Sequence, residues 1–393
     1  MSAMPKPRGR QFFANPGPTN IPDSVLHAVA HVTVDFNDPA FLGVYDACVA
    51  GLKRVLKTEQ ELFFYTASGH GAWEASLVNL LSAGDHVLVL ETGYFSESWA
   101  KMAADLGIEV RTLAADWRRG IDMAALRAAL AEDSGHRIKA VCVVHNETAT
   151  GMMIPLPEVR AALDATGHPA LFLADTISSL GSLDFRMDEW GVDICVGGSQ
   201  KGLMLPTGMS FTGVSAKAMA AHATSTLPKH YFNWTNMLAR RHRSFVGTVP
   251  TSFFYGLRES LRLIEQEEGL ENVIARHTRL ARAVRAAVQH WSGNAGPTLF
   301  CQNPDRYSDS VTAVLMPDGQ DAEALRALCL QRFNVSLGAG LGPLRGRVFR
   351  IGHLGDLNEP MVLGTLATVE LAMGMLGTPH APGGVGAAIA ALG

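Results

Sequence analysis

A chain of 393 residues, 47% of them hydrophobic, can bury a large core and is long enough for two or three domains, or for one large domain with a smaller partner. Its net charge of −4 and pI near 6.4 leave no basic footprint for nucleic acid, and no stretch reads as the ~18–20 apolar residues that a membrane span needs. The five cysteines are scattered and odd in number, with Cys142 and Cys195 inside apolar runs, which points to buried reduced thiols rather than disulfides or metal ligands.

The first ten residues are basic but no apolar signal core follows them, so the expected location is the cytoplasm. Three prolines within 11–22 forbid a helix and predict an extended N-terminal arm over 1–22. A helix starts at 23–30 with Asp23 as its cap, and Phe41, Val44, Cys48, Leu52 and Val55 fall at helical spacing over 40–57. Strands and helices then alternate: strands over 61–66, 86–91, 139–145, 170–175 and 192–197, helices over 71–81, 96–106 and 156–165. Continuous apolar strands separated by helices predict an α/β fold with a mainly parallel, seven-stranded type of sheet covered on both faces. In such sheets ligands collect beyond the carboxyl ends of the strands. A strand over 209–214 and a helix over 215–222 precede an irregular, aromatic and basic stretch at 226–250. A long helix over 252–291, interrupted near Gly269, leads to strands at 310–316 and 347–351 around a helix at 321–332. The chain therefore divides into the arm, a large domain over 23–267, a small C-terminal α/β domain over 268–377 and a linker-like tail over 378–393.

The candidate chemistry centres on Gly197-Gly198-Ser199-Gln200-Lys201-Gly202, which follows an apolar strand. An amine delivered onto a small, Gly-rich turn is partly desolvated, and a lowered pKa frees its lone pair for attack on a carbonyl; the bland alternative is an ordinary loop lysine. Upstream, the strand at 170–175 ends in a single carboxylate, Asp175. A lysine for a Schiff base and an aspartate for a pyridinium nitrogen are the two protein groups that pyridoxal phosphate (PLP) chemistry requires. Ser68-Gly69-His70-Gly71, between a strand and a helix, offers backbone N–H groups and a hydroxyl to a phosphate, or is simply a tight turn. Phe95 can lie flat on a planar ring or belong to the core. Thr148 can bond a ring oxygen or form a turn. Arg350, flanked by apolar residues, needs an anion, which is a substrate carboxylate or an internal partner. His70 and His353 are candidate proton carriers ranked below Lys201.

Five motifs in order carry a resemblance: Ser68-Gly69-His70-Gly71-Ala72-Trp73-Glu74-Ala75, His145-Asn146-Glu147-Thr148-Ala149-Thr150-Gly151, the Ala174-Asp175-Thr176 segment, the lysine turn, and Phe349-Arg350-Ile351-Gly352-His353. Together, from Pro16 to about residue 375, they resemble the class V PLP-dependent aminotransferases, most closely the serine/alanine/aspartate–glyoxylate branch. The resemblance implies a PLP-dependent transferase of fold type I, working as a homodimer with shared active sites, dimer against tetramer being left open. Its substrates would be a small amino acid and a 2-oxo acid such as glyoxylate. It implies Lys201 as the Schiff-base lysine, Asp175 as the pyridinium partner and Phe95 as the stacking aromatic. Ser68, Gly69, His70 and Gln200 match phosphate-side positions, Thr148 the ring-hydroxyl position, and Thr248 a phosphate ligand given by the other subunit. Arg350 matches the substrate-carboxylate arginine, and Asn20 and Phe36 are placed on the substrate side.

Two departures stand out. Asp35-Phe36-Asn37-Asp38-Pro39 replaces the stretch usual in glyoxylate enzymes, and Asp38-Pro39-Ala40-Phe41 is similar to pyridoxamine–pyruvate aminotransferases. Phe245 stands where some relatives place a phosphate-binding tyrosine. The alternatives are therefore a pyridoxamine–pyruvate type of enzyme and a PLP-dependent lyase or desulfurase, which would want a cysteine near the pocket, with only Cys301 loosely placed. A non-catalytic PLP-binding protein lacks a supporting basic patch or helix-turn-helix module.

Overall fold

A computed structural model gives the fold of residues 8–240 and 245–393; Arg241, His242 and Arg243 of the basic stretch lie outside the described residues. The first half of the chain runs β1 (Phe12–Ala14), α1 (Asp23–Val29), α2 (Pro39–Leu56), β2 (Glu61–Tyr65), α3 (Gly69–Leu80), β3 (His86–Glu91), α4 (Tyr94–Asp105), β4 (Glu109–Ala114), α5 (Met123–Glu132), β5 (Ile138–Val144), a hairpin of β6 (Asn146–Glu147) and β7 (Met152–Met153), and α6 (Leu156–Thr166). It continues with β8 (Leu171–Asp175), β9 (Ile194–Gly198), β10 (Ser210–Val214), α7 (Ala216–His222), α8 (Trp234–Leu238) and α9 (Thr251–Arg262). After a π-helical turn at Leu263–Glu268 come α10 (Leu270–Trp291), β11 (Thr298–Leu299), β12 (Val311–Leu315), α11 (Ala322–Phe333), β13 (Val335–Ala339), β14 (Val348–Gly352), α12 (Glu359–Leu376) and α13 (Gly384–Leu392).

Seven strands form the large sheet in the order β2-β10-β9-β8-β5-β3-β4. All neighbours are parallel except β10, which is antiparallel to both β2 and β9, so β2 and β9 point the same way. Every residue of β8 and β9 is buried, because helices cover both faces. Side chains of α2, α5, α6 and α9 fill the core on one face, and those of α3, α4 and α7 the core on the other. The edge strand β4, with Glu109, Arg111 and Thr112 exposed, escapes the sequence reading, as does α5 after it. Asp23 also differs from expectation: Pro22 occupies the cap position and Asp23 lies in the first turn, where its charge meets the positive end of the helix. The cap of α2 is Asp38, which accepts from Ala40 N at 2.7 Å, with Pro39 at the first helical position.

The second sheet has the order β1-β13-β14-β12-β11, and β1 runs parallel to β13. The arm is thus not free of the small domain but supplies its edge strand. Behind this sheet, Leu280, Val284, Val288 and Trp291 of α10 pack with Leu366, Val369 and Met373 of α12. α12 has the length and composition of a membrane span, yet its inner face is buried in this core, with α10, α11 and α13 against it. The tail is likewise tied in: Glu370 accepts from Trp291 Nε1 at 2.8 Å and from Gly383 N at 2.6 Å, which seats α13 along α10.

Candidate active site

The parallel strands of the large sheet end on one edge, and the turns that follow them meet around a cavity of about 310 Å³. Ser68, Gly69 and His70 come from the turn after β2, Phe95 from the start of α4, Thr148 from the hairpin after β5, Asp175 from the last position of β8, and Gln200 and Lys201 from the turn after β9. All eight line the same space. Asn146, Trp73 and the Pro18 end of the arm join them, none of which the sequence reading singled out.

Lys201 stands on a tight turn. Ser199 ties it by accepting from Met209 N and donating to Pro206 O, and Met204 N donates to Lys201 O at 2.9 Å. Gly202 is required there, since a Cβ would lie 2.1 Å from Leu180 O. The residue is half-buried but its amine is at the enclosed end. Burial, helped by the nearby Arg350 charge, lowers the amine to about 8 against the pull of Asp175 and Glu147, so a sizeable fraction is neutral near physiological pH. The amine donates to Pro16 O at 2.5 Å.

Asp175 is buried, and burial raises its carboxyl to about 7 although Ile177 N (2.7 Å) and Trp73 Nε1 (3.1 Å) donate to it. Trp73 in turn stacks on Trp99 with ring centroids 5.5 Å apart, meets Phe95 edge-on at 6.4 Å and tilts against His70 at 4.5 Å. His70 and Ser68 are exposed at the mouth. Glu147, fully buried behind the wall, caps the start of α4 by accepting from Phe95 N (3.0 Å) and Ser96 N (3.2 Å), and accepts from Ala149 N (3.0 Å). One carboxylate thereby fixes the turns that carry Phe95 and Thr148.

Arg350 lies behind Thr148 rather than in the cavity lining. Its Nε donates to Ala339 O at 2.7 Å and its Nη1 to Thr148 O at 3.1 Å; among the described residues these backbone carbonyls are its only hydrogen-bond partners. Burial lowers even this guanidinium to about 10, which marks a buried cation without an ion-paired carboxylate.

Four expected residues are elsewhere. Asn20 donates to Phe13 O at 3.0 Å and lines a separate groove beside Pro22 and Met204. Phe36 packs against the core under the large sheet, in a turn where Asp35 accepts from Asn37 N, so the departing 35–39 stretch serves as the cap of α2. Thr248 is exposed on the segment before α9, outside this cavity. His353 is buried between Thr312 Oγ1 and Asp309 O, and burial holds it neutral down to about 3, so it packs the small domain and carries no proton to the site. Phe245 sits in the core against Phe254, and Cys301 lines a different cavity with Gln289 and Tyr307.

The donor set fits PLP. Lysine and aspartate face one space of suitable size that Trp73 and Phe95 also line, and among the described residues two buried side-chain oxygens of that lining, Gln200 Oε1 and Asn146 Oδ1, have no hydrogen-bond partner.

Comparison with known proteins points the same way. The family model for class V aminotransferases matches residues 11–342. The chain is 44% identical over 366 residues to an L-aspartate–glyoxylate aminotransferase of Paracoccus denitrificans, covering 93% of this chain and 91% of that one. It is 44% identical over 362 residues to a serine–glyoxylate aminotransferase of Hyphomicrobium methylovorum, covering 91% and 88%. Among solved structures it is similar to an alanine–glyoxylate aminotransferase from Nostoc sp., with a TM-score of 0.84, 31% identity, and coverage of 95% and 98%.

Proposed function

This chain belongs to the class V aminotransferase family, and we propose that it carries the amino group of a small L-amino acid (serine, alanine or aspartate) to glyoxylate. It is a PLP-dependent transaminase of fold type I, acting on amino acid and 2-oxo acid substrates. In the structure the reading is carried by the convergence of the Lys201 amine and the Asp175 carboxylate on one cavity, with the Arg350 cation behind its wall, and the choice of glyoxylate is supported by the relatives.

Lys201 would hold the cofactor, with Asp175 at its ring nitrogen, Phe95 against its ring, Thr148 near its hydroxyl, and Ser68, Gly69, His70 and Gln200 toward its phosphate. Bound PLP supplies the electron sink for bonds broken at the substrate Cα. Arg350 binds the α-carboxylate and so fixes which bond at Cα faces Lys201. The Lys201 amine, neutral in part because it is buried, would take the proton from the substrate Cα and pass it to the cofactor side within the same half-reaction, and the second half-reaction would run that transfer in reverse. Asp175 would keep a proton at the ring nitrogen, a task that burial favours by raising its basicity even though Ile177 N and Trp73 Nε1 donate to it. The first product leaves before the second substrate enters, which gives ping-pong kinetics. A homodimer in which each subunit completes the phosphate site of the other follows from the family resemblance, and the exposed Thr248, outside its own cavity, is free to serve it.

The test is the visible absorption of the PLP-loaded protein during addition of serine, alanine, aspartate and pyridoxamine in turn. The expected result is that one amino acid bleaches the band of the lysine-bound cofactor and glyoxylate restores it. A band that none of the amino acids bleaches would overturn the proposal, and no band, with activity on free pyridoxamine, would move the enzyme to the pyridoxamine–pyruvate type.

A further inference from the structure

The arm between β1 and α1 crosses the lysine turn at close range. Thr19 is buried, and it bonds the main chain on both sides of the reactive residue: its N–H donates to Gln200 O at 3.2 Å and its Oγ1 donates to Lys201 O at 3.0 Å. Three residues earlier, Pro16 O accepts from Lys201 Nζ. Between them Gly17 has φ +128°, and a Cβ there would lie 2.2 Å from Nζ, so the arm passes the amine only because this position has no side chain.

The other side of Thr19 is also fixed. Gly355 packs on it so closely that a Cβ would lie 2.9 Å from Thr19 Oγ1. Gly355 itself is held by α10, its N–H donating to His277 Nε2 at 3.0 Å and its carbonyl accepting from Arg276 Nη1 at 3.0 Å. Thr19 is therefore wedged between a braced loop of the small domain and the peptide that bears Lys201. A lysine has four rotatable side-chain bonds, so the position of its amine is defined only as well as the backbone it hangs from.

We propose that Thr19 is a positioning residue for Lys201: its hydroxyl anchors the lysine peptide against the small domain, so that the released amine rests at Pro16 O and reaches the substrate Cα in one geometry. This rests on the transaminase reading for its catalytic consequence but not for its structural one. Thr19→Val keeps the shape and removes the donor, whereas Thr19→Ser keeps the donor.

Two readouts decide it. The first is the second-order rate at which Lys201 captures PLP added to the cofactor-free protein, followed by the visible band. The second is kcat, KM and the isotope effect with an α-deuterated amino acid. The expected result for Thr19→Val is slower capture, a kcat lower by about tenfold with a larger isotope effect, and a KM changed by less than about twofold. Thr19→Ser should recover most of both rates. Wild-type capture rate and isotope effect in Thr19→Val would overturn the proposal, as would an equal loss in Thr19→Ser, which would assign the effect to packing of the methyl group. If the wild-type protein transaminates none of the donors, the functional reading fails while the capture rates still decide the role of Thr19.

Discussion

The two sheets serve the cavity in different ways. The large sheet gives it Ser68, Phe95, Thr148 and Lys201 from turns just past its strand ends, and Asp175 from the end itself. The small sheet gives Arg350 from the middle of β14, where Ala313 of β12 and Gly338 of β13 flank it in register. A side chain on a turn is aimed by local bonds and has room to move; one inside a ladder is fixed by its neighbours on both sides. The groups proposed to make and break bonds thus occupy the adjustable positions, and the group proposed to recognise the carboxylate occupies the rigid one.

That division predicts unlike defects. Lys201→Ala should leave the fold and reversible PLP binding in place while reducing kcat by about 10⁴-fold, the upper range for loss of a general acid–base group. Single-turnover bleaching with the preferred amino acid would measure it. Arg350→Lys keeps the charge but loses the fork that spans Ala339 O and Thr148 O. Its expected effect is smaller and of another kind: KM for the amino acid rises by about 30-fold with kcat within a few-fold of wild type. Steady-state kinetics that showed kcat falling as far as KM rises would break the division, because Arg350 would then act in the transition state rather than in binding.

The same contrast explains what could be read from the sequence. Strands β5, β8 and β9 are covered on both faces, so Ile138–Val144, Leu171–Asp175 and Ile194–Gly198 read as continuous apolar runs, and the residues that end them could be placed with them. Strand β4 alternates at a solvent-facing edge, and β13 carries Ser336 and Gly338, so neither stands out. Proximity along the chain misled where direction decided. His353 is three residues from Arg350 but turns into the small-domain core, and Asn20 follows Thr19 but bonds back to Phe13. Trp73 lies in a helix buried nearly all round, and nothing local shows that its indole N–H reaches Asp175, 102 residues away. Glu147 carried no signal of its own in a polar turn sequence, and two of its three backbone bonds, to Phe95 N and Ser96 N, come from about 50 residues upstream.

The smallest expected effect concerns titration, where the two regions also oppose each other. Burial raises the carboxyls of Asp175 and Glu147, beside the cavity, to about 7. Between roughly pH 4.5 and 7 the folded cofactor-free protein therefore binds more protons at these groups than the unfolded chain, and their contribution to stability is lost as pH rises. Burial holds His277 and His353, behind the small sheet, neutral down to about 4 and about 3, and His145 down to about 4. Between those values and the ordinary 6.5 the unfolded chain binds more protons at the histidines, so their contribution is present above 6.5 and is lost as pH falls. Near pH 5.5 the two carboxyls offset two of the three histidines, so wild-type stability should fall from these groups by about 1.4 kcal/mol per pH unit toward pH 5. Glu147→Gln removes one proton from the cavity side and steepens that fall by about a further 1.4 kcal/mol per pH unit. Thermal unfolding of the cofactor-free variant should then show Tm falling from pH 6.5 to 5 by about 3 °C more than wild type. An unchanged slope would mean that Glu147 is already ionised in the fold, with its three N–H donors outweighing its burial.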